Sequence, residues 1–335
     1  MSQVACEDVR QIKRRQAKAL TLTMKFTTLF RRQNLASNPF HPVQPPLPGA
    51  SVITPLQLAP LSVSTPAAHG RIALYLLHTA AGAPPTTLRP MLPLAEALRD
   101  GLAQLHETAG LHETEVENLA GVDLFAQAGE TIHGGWMDRT LVVDVVVPAC
   151  HERPRRLGLR AFCLEPGGPW RLSDQREVSH AFGAATDCAI SPLEPGGAAC
   201  EAARRFAGLI ERDPRASGFA CAIDGVLREA HVYASPELFR QLWPSLVTDQ
   251  LAALLDEEVI SSVPRPPVLP PRIEEVITWL DRARRGRHVA QSLTPRVTLS
   301  ACESLDGTVS LETLDTAQGH ACVHRWVVAP AAPAR

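Results

Sequence analysis

Ala220-Cys221-Ala222-Ile223-Asp224-Gly225-Val226-Leu227-Arg228-Glu229-Ala230-His231-Val232 sets two runs of strand length on either side of an Asp-Gly pair. A two-residue hairpin turn needs positive φ at its centre, and Asp-Gly adopts it at low cost. The segment therefore reads as an antiparallel hairpin. A second hairpin of the same kind is expected where residues 297–304 and 308–314 flank Asp306-Gly307. The pair points to antiparallel pairing rather than strand–helix–strand crossovers.

Upstream, residues 71–78 form an apolar run of strand length, and residues 94–99 read as a short helix stopped by Gly101. Residues 102–108, 113–118, 122–128, 140–147 and 157–164 read as further strands. They are short, β-branched or alternating, and separated by Gly, Asn or Pro. Longer helices are expected at 198–210, after Ser235, and at 273–285. The second has Ser235 as N-cap and Pro236 at the first helical position. Its apolar stripe of Phe239, Leu242, Trp243, Leu246, Leu251, Leu254 and Leu255 falls at helical spacing, with a kink expected at Pro244. The fold class is thus α+β, a mainly antiparallel sheet core with about three packed helices.

Composition shifts suggest boundaries. Residues 1–33 carry eight basic residues and only two acids, Glu7 and Asp8. Nothing there patterns as a core, so a disordered leader is expected, or one that precedes a true start at Met24. Residues 39–66 are rich in proline, which removes backbone donors and favours extended, polyproline-like chain. Residues 1–70 are therefore expected to be a largely disordered leader, and 71–262 the main α+β domain. After the proline-rich linker 264–271, residues 272–329 either complete that domain or form a small lobe.

Hydrophobic residues at 45% suit an ordinary globular core, and a net charge of -2 makes a nucleic-acid partner unlike what such domains need. No apolar run reaches the length that spans a bilayer, and the run around 141–147 is interrupted by Asp144. The eight cysteines contain no CxxC pair, which fits reduced thiols and, without an apolar secretory segment at the start, a cytoplasmic location. Dinucleotide and phosphate-loop glycine motifs, HExxH and GxSxG are all missing from the sequence. His106 and His112 could face each other but lack a third partner, so no metal site is assigned. The cofactor is left open.

One stretch concentrates chemistry. Gly129-Glu130-Thr131-Ile132-His133-Gly134-Gly135-Trp136-Met137-Asp138-Arg139 reads as a turn between two strands. Gly134 and Gly135 allow a tight turn or a close approach to a ligand. Beside them stand the carboxylates Glu130 and Asp138, the indole of Trp136 and the guanidinium of Arg139. Further on, Cys163-Leu164-Glu165 ends another strand, and alternation puts Cys163 and Glu165 on one face. A hairpin tip with solvated charges accounts for the same residues equally well.

At these positions the sequence resembles the ARG and rhodanese-phosphatase-superfamily-associated domain family. The resemblance runs from about residue 92 to 328. It is carried by residues 94–101, Val116-Glu117-Asn118, Gly129-Glu130, Gly134, Arg139, Val147-Pro148-Ala149, Cys163-Leu164-Glu165, 235–246 and Val323-His324. Trp136-Met137-Asp138-Arg139 stands where the family has a Lys-Gln-Asn-Arg run, so this chain reads as a diverged member. The resemblance implies an association with NAD and ADP-ribose metabolism, and hence a nucleotide-type small molecule as ligand.

Two roles follow from that implication. In an enzyme, Arg139 would clamp a phosphate and Trp136 would stack on a base, while Glu130, Glu165 and Asp138 supplied acid–base chemistry and Cys163 lay against the ligand. In a non-catalytic binding or adaptor module the same scaffold would hold a ligand without turnover. A protein partner recruited through the proline-rich arm is a third role, and the sequence leaves all three open.

Overall fold

In a computed structural model, the described residues are 61–79, 89–108, 113–135, 139–150, 156–163, 173–180, 205–247 and 268–330. In chain order the strands begin with β1 (Leu61–Val63), β2 (Ala67–His69), β3 (Ile72–Thr79), β4 (Met91–Pro93), β5 (Ala103–Glu107) and β6 (Glu113–Asn118). They continue with β7 (Asp123–Ala126), β8 (Glu130–Gly135), β9 (Arg139–Leu141), β10 (Val145–Val147), β11 (Arg156–Cys163) and β12 (Ser173–His180). The last are β13 (Gly218–Ile223), β14 (Val226–Tyr233), β15 (Gly286–Ser292), β16 (Val297–Ser304), β17 (Val309–Asp315) and β18 (Ala321–Val328). The helices are α1 (Leu94–Arg99), α2 (Leu209–Arg212), α3 (Pro236–Ser245) and α4 (Ile273–Arg282).

The fold is α+β. The largest sheet has nine strands in the order β1-β3-β13-β14-β18-β17-β16-β15, with β2 also on β3. Both Asp-Gly hairpins form within it. Asp224 and Gly225 take φ of 52° and 72°, and Gly307 takes 83°. A three-stranded sheet runs β10-β7-β4 and a six-stranded one β12-β8-β9-β11-β6-β5. The β4–β7 pair is the one parallel pairing among the described strands.

Around β3, β13 and β14 the large sheet is buried on both faces. Alternation along β3 and β13 sends Leu74, Leu76, Phe219 and Cys221 to one side, where α3 packs through Phe239, Leu242 and Trp243. Phe125 of β7 and Val146 of β10 join that cluster, so the three-stranded sheet lies on the same side. Tyr75, Leu77, Ala220 and Val232 go to the other side, against Val276, Trp279 and Leu280 of α4. The α3 stripe is therefore core. Trp243 is buried, and its indole N–H donates to the Ala207 carbonyl at 3.1 Å. Ser235 caps α3 as expected, its Oγ accepting from the Leu238 N–H at 3.1 Å.

Some expectations shift. Strands begin at Leu61 rather than near residue 71, because β1 and β2 both pair with β3. The run 140–147 divides into β9 and β10 at Asp144, whose carboxylate turns inward to polar partners that a continuous ladder would not supply. Glu130–Gly135, read as part of a turn, is a strand, and Arg139 opens the next one. Strands β15–β18 extend the large sheet. The helix expected at 198–210 lies partly outside the described residues, as do Leu251, Leu254, Leu255 and the basic leader.

No described helix is long and apolar enough to cross a membrane. Cys150, Cys221, Cys302 and Cys322 are free thiols.

Candidate functional site

The polar stretch is anchored by the turn that enters β8. Gly129 adopts φ 91°, which a side chain would strain, and its N–H donates to Leu141 O at 2.9 Å. The Glu130 N–H returns to Gln127 O at 3.1 Å, while the Ala128 N–H donates to Asp144 Oδ1 at 2.7 Å. Three bonds thus fix where β8 begins, and Glu130 sits at that start with its side chain fully buried.

Register then decides the neighbours. Arg139 pairs with Ile132 on β8 and with Cys163 on β11, so these three Cα positions form one row across the six-stranded sheet. The Arg139 side chain is 1% exposed, and its Nη1 lies 2.7 Å from Oε2 of Glu107, the last residue of β5. Burying a guanidinium costs several kcal/mol unless a charge partner offsets it, and Glu107 is that partner. The opposite face of this sheet is polar, with His106 Nε2 2.7 Å from Glu117 Oε2.

Of the residues singled out in the sequence, Glu130 and Arg139 are therefore interior groups. Gly134 and Gly135 end β8, and Cys163 ends β11. Trp136, Asp138 and Glu165 lie outside the described residues, as does His112. An open groove of about 570 Å³ lies elsewhere, lined by residues that include Val226, Glu275, Trp279, Arg282 and Asp306, and neither Glu130 nor Arg139 reaches it. Among the described residues, no three His, Cys, Asp or Glu side chains are grouped to hold a metal ion.

A second polar constellation was not assigned from the sequence. Asp144 Oδ2 lies 2.7 Å from His324 Nδ1 and accepts the Thr313 hydroxyl at 2.7 Å. His324 Nε2 is 3.1 Å from His231 Nδ1, and His231 Nε2 is 3.9 Å from Glu229 Oε2. The rings stack in a ladder, His231 between Phe219 at 5.1 Å and His324 at 5.3 Å, with Tyr233 4.6 Å from His324. The Tyr233 hydroxyl donates to Gln127 Oε1 at 3.1 Å, which ties this ladder to the turn before Glu130.

Burial alone would raise the Asp144 carboxyl, but the His324 imidazole and the bonds from Ala128 and Thr313 hold it below the ordinary carboxylate range. Burial pushes His231 down, against the opposing pull of Glu229. Burial also lifts the Tyr233 phenol well above its usual value. The signal in the sequence was Asp144 itself, a charge inside an apolar run. What it met could not be read there, because His324 is 180 residues away.

Two of the segments that carry the family resemblance meet. Asn118 Nδ2 donates to Val122 O and Pro148 O, each at 2.9 Å, and its Oδ1 accepts the Ala120 N–H at 2.8 Å. Asp123 Oδ1 accepts the Ala149 N–H at 2.7 Å. Val116-Glu117-Asn118 and Val147-Pro148-Ala149 are therefore two sides of one joint, and their first role is architectural.

Neither the curated proteins nor the solved structures contain a match to the chain. A family model does match, over a span that starts earlier than the resemblance read from the sequence and stops before Ser235 and His324. Residues 60–192 match the model of the ARG and Rhodanese-Phosphatase-superfamily-associated Protein domain, ARPP-1.

Proposed function

We propose that this ARPP-1 domain binds a nucleotide-type small molecule, an ADP-ribose or NAD-derived nucleotide, without turning it over. One observation carries the choice of binding over catalysis: Arg139 and Glu130 are both buried, and Arg139 is committed to Glu107 at 2.7 Å. A phosphate clamp needs an accessible guanidinium, and a hydrolytic carboxylate needs water within hydrogen-bond reach. In the enzyme reading these two would have been the central groups.

The ligand class rests on the family resemblance and on residue chemistry. Gly134 and Gly135 leave room for a ligand beside the backbone, Trp136 offers a stacking face, and Asp138 accepts hydroxyl hydrogens. Arg139 acts as the positioning residue that fixes the start of β9.

Calorimetric titration of the full chain with ADP-ribose and with NAD tests the reading. Binding is expected, weakened roughly tenfold or more in Trp136→Ala, since base stacking contributes about 1–3 kcal/mol. Chromatography of the ligand after incubation should return it intact. Product formation abolished by Glu130→Gln would restore the enzyme reading, and absence of heat with both ligands would overturn the ligand class.

A further inference from the structure

Strand β15 is one end of the large sheet and, among the described strands, pairs with β16 alone. The strand at the other end, β1, is 3 residues long, whereas β15 runs for 7 with no proline and no register shift against β16. Proteins usually blunt a sheet edge by shortness, proline or a bulge, and a long regular edge is a template for another strand. His288, Ala290, Gln291 and Ser292 of β15 are exposed.

Two hydrogen bonds fix which backbone groups face outward. The Leu293 N–H donates to Val297 O at 2.9 Å, which makes these residues a hydrogen-bonded pair where the β15–β16 ladder begins. On the far side of β16, the Ser304 N–H donates to Thr308 O at 2.9 Å. Both bonds set the same alternation. The backbone of Leu299, Ala301 and Glu303 turns towards β15, opposite Gln291, Val289 and Arg287. The N–H and C=O groups of His288, Ala290 and Ser292 therefore point away from β16, along the outer edge.

The charge beside this edge is of one sign. Residues 282–302 include arginines at 282, 284, 285, 287 and 296 and neither Asp nor Glu. Arg296 is committed to Asp123 and Asp315, and Arg282 lies 3.2 Å from Asp306. Arg284 and Arg285, in the turn that leads from α4 into β15, make no ion pair among the described residues. Burial and the adjacent Arg325 guanidinium push Arg284 below its ordinary value, against the pull of Asp281 and Glu312. Glu312 is itself bound to Arg325.

We propose that β15 is a docking edge for an extended acidic segment of a partner protein, which adds to the large sheet as a further strand. Backbone bonds to residues 288, 290 and 292 supply affinity, and Arg284 and Arg285 select for carboxylates. A second copy of the chain would present another β15, which has no carboxylate to offer these arginines.

The probe is a fluorescent peptide of alternating Glu and Val, matched to the 7 residues of β15. Titrated into the full chain and followed by anisotropy, it should bind, and more weakly as salt rises. Amide exchange at His288, Ala290 and Ser292 should slow in the complex, while Val289 and Gln291 change little. Ala290→Pro removes one outward donor where an edge strand tolerates proline, and should weaken binding about tenfold or more. Replacing Arg284 and Arg285 together by Gln should weaken binding and flatten its salt dependence. A fully N-methylated peptide keeps the charges, loses its donors, and should not bind. No binding of the Glu peptide, equal binding of the N-methylated peptide or of one with Lys for Glu, or an unchanged affinity in Ala290→Pro would overturn the proposal. Dimers of the chain alone in sedimentation, dissociated by Ala290→Pro, would make a second copy the occupant and overturn it as well.

Discussion

Arg296 holds Asp123 across two sheets: its Nη1 and Nη2 lie 2.9 and 2.5 Å from the two carboxylate oxygens, although the residues are 173 apart in the chain. The same guanidinium also meets Asp315, with Nε and Nη2 at 3.0 and 2.9 Å. Asp123 opens β7 of the three-stranded sheet, and Asp315 ends β17 of the large one. A planar fork can serve two carboxylates at once, as an ammonium cannot.

Removing that cation should be costly. Arg296→Met leaves two buried carboxylates facing each other, and breaking a buried pair from one side costs about 3–5 kcal/mol. Urea denaturation should show a lower midpoint of that size, and Arg296→Lys should recover only part of it.

The Arg139–Glu107 pair should behave in the same way and independently of any ligand. Glu107→Gln keeps shape but leaves Arg139 without its counter-charge, so a loss of about 3 kcal/mol is expected. A double change to Met at 139 and Leu at 107 should regain most of it. If the pair instead serves ligand binding, the double variant would keep its stability but lose calorimetric heat with ADP-ribose.

Stability should fall in two stages as pH drops. Below the ordinary imidazole value near 6.5, the unfolded chain protonates His231 before the folded one does, so stability decreases from there towards the lower folded value. Asp144 and Asp315 have folded values below the ordinary carboxylate range, Asp315 through Arg296, which outweighs its burial. Their contribution is present above about pH 4 and is lost as pH falls through the folded values. Denaturation midpoints from pH 8 to 3 check both stages, and His231→Phe should flatten the first only.

Turn chemistry gives a local test. Gly225 has φ 72°, and an added Cβ would come within 2.7 Å of Val268 Cγ1 and 2.9 Å of the Leu269 carbonyl. Gly225→Ala should therefore destabilise, and by more than the 1 kcal/mol or so that an unstrained Gly→Ala change gains. Ser235→Ala should cost about 1 kcal/mol through loss of the α3 cap. Thermal unfolding of each variant distinguishes the two magnitudes.

Local rules made much of the fold legible. Asp224-Gly225 and, in the second hairpin, Gly307 turned where positive φ is cheap, β6 spans the expected residues 113–118, and Ser235-Pro236 starts α3. These signals depend on residues a few positions apart, so sequence order carries them. The candidate site was legible only as a set of residue types. Alternation and spacing drew attention to Glu130 and Arg139 but could not say that both would be sealed inside.

That difference has one physical cause. By itself the chain determined where strands, turns and caps form, because backbone φ and side-chain period are local properties. The tertiary structure alone decided that Arg139 would meet Glu107, that Arg296 would bind Asp123, and that Asp144 would find His324 180 residues away. A buried charge takes its partner from whichever strand register brings opposite it, and register across distant strands is set by packing the whole core.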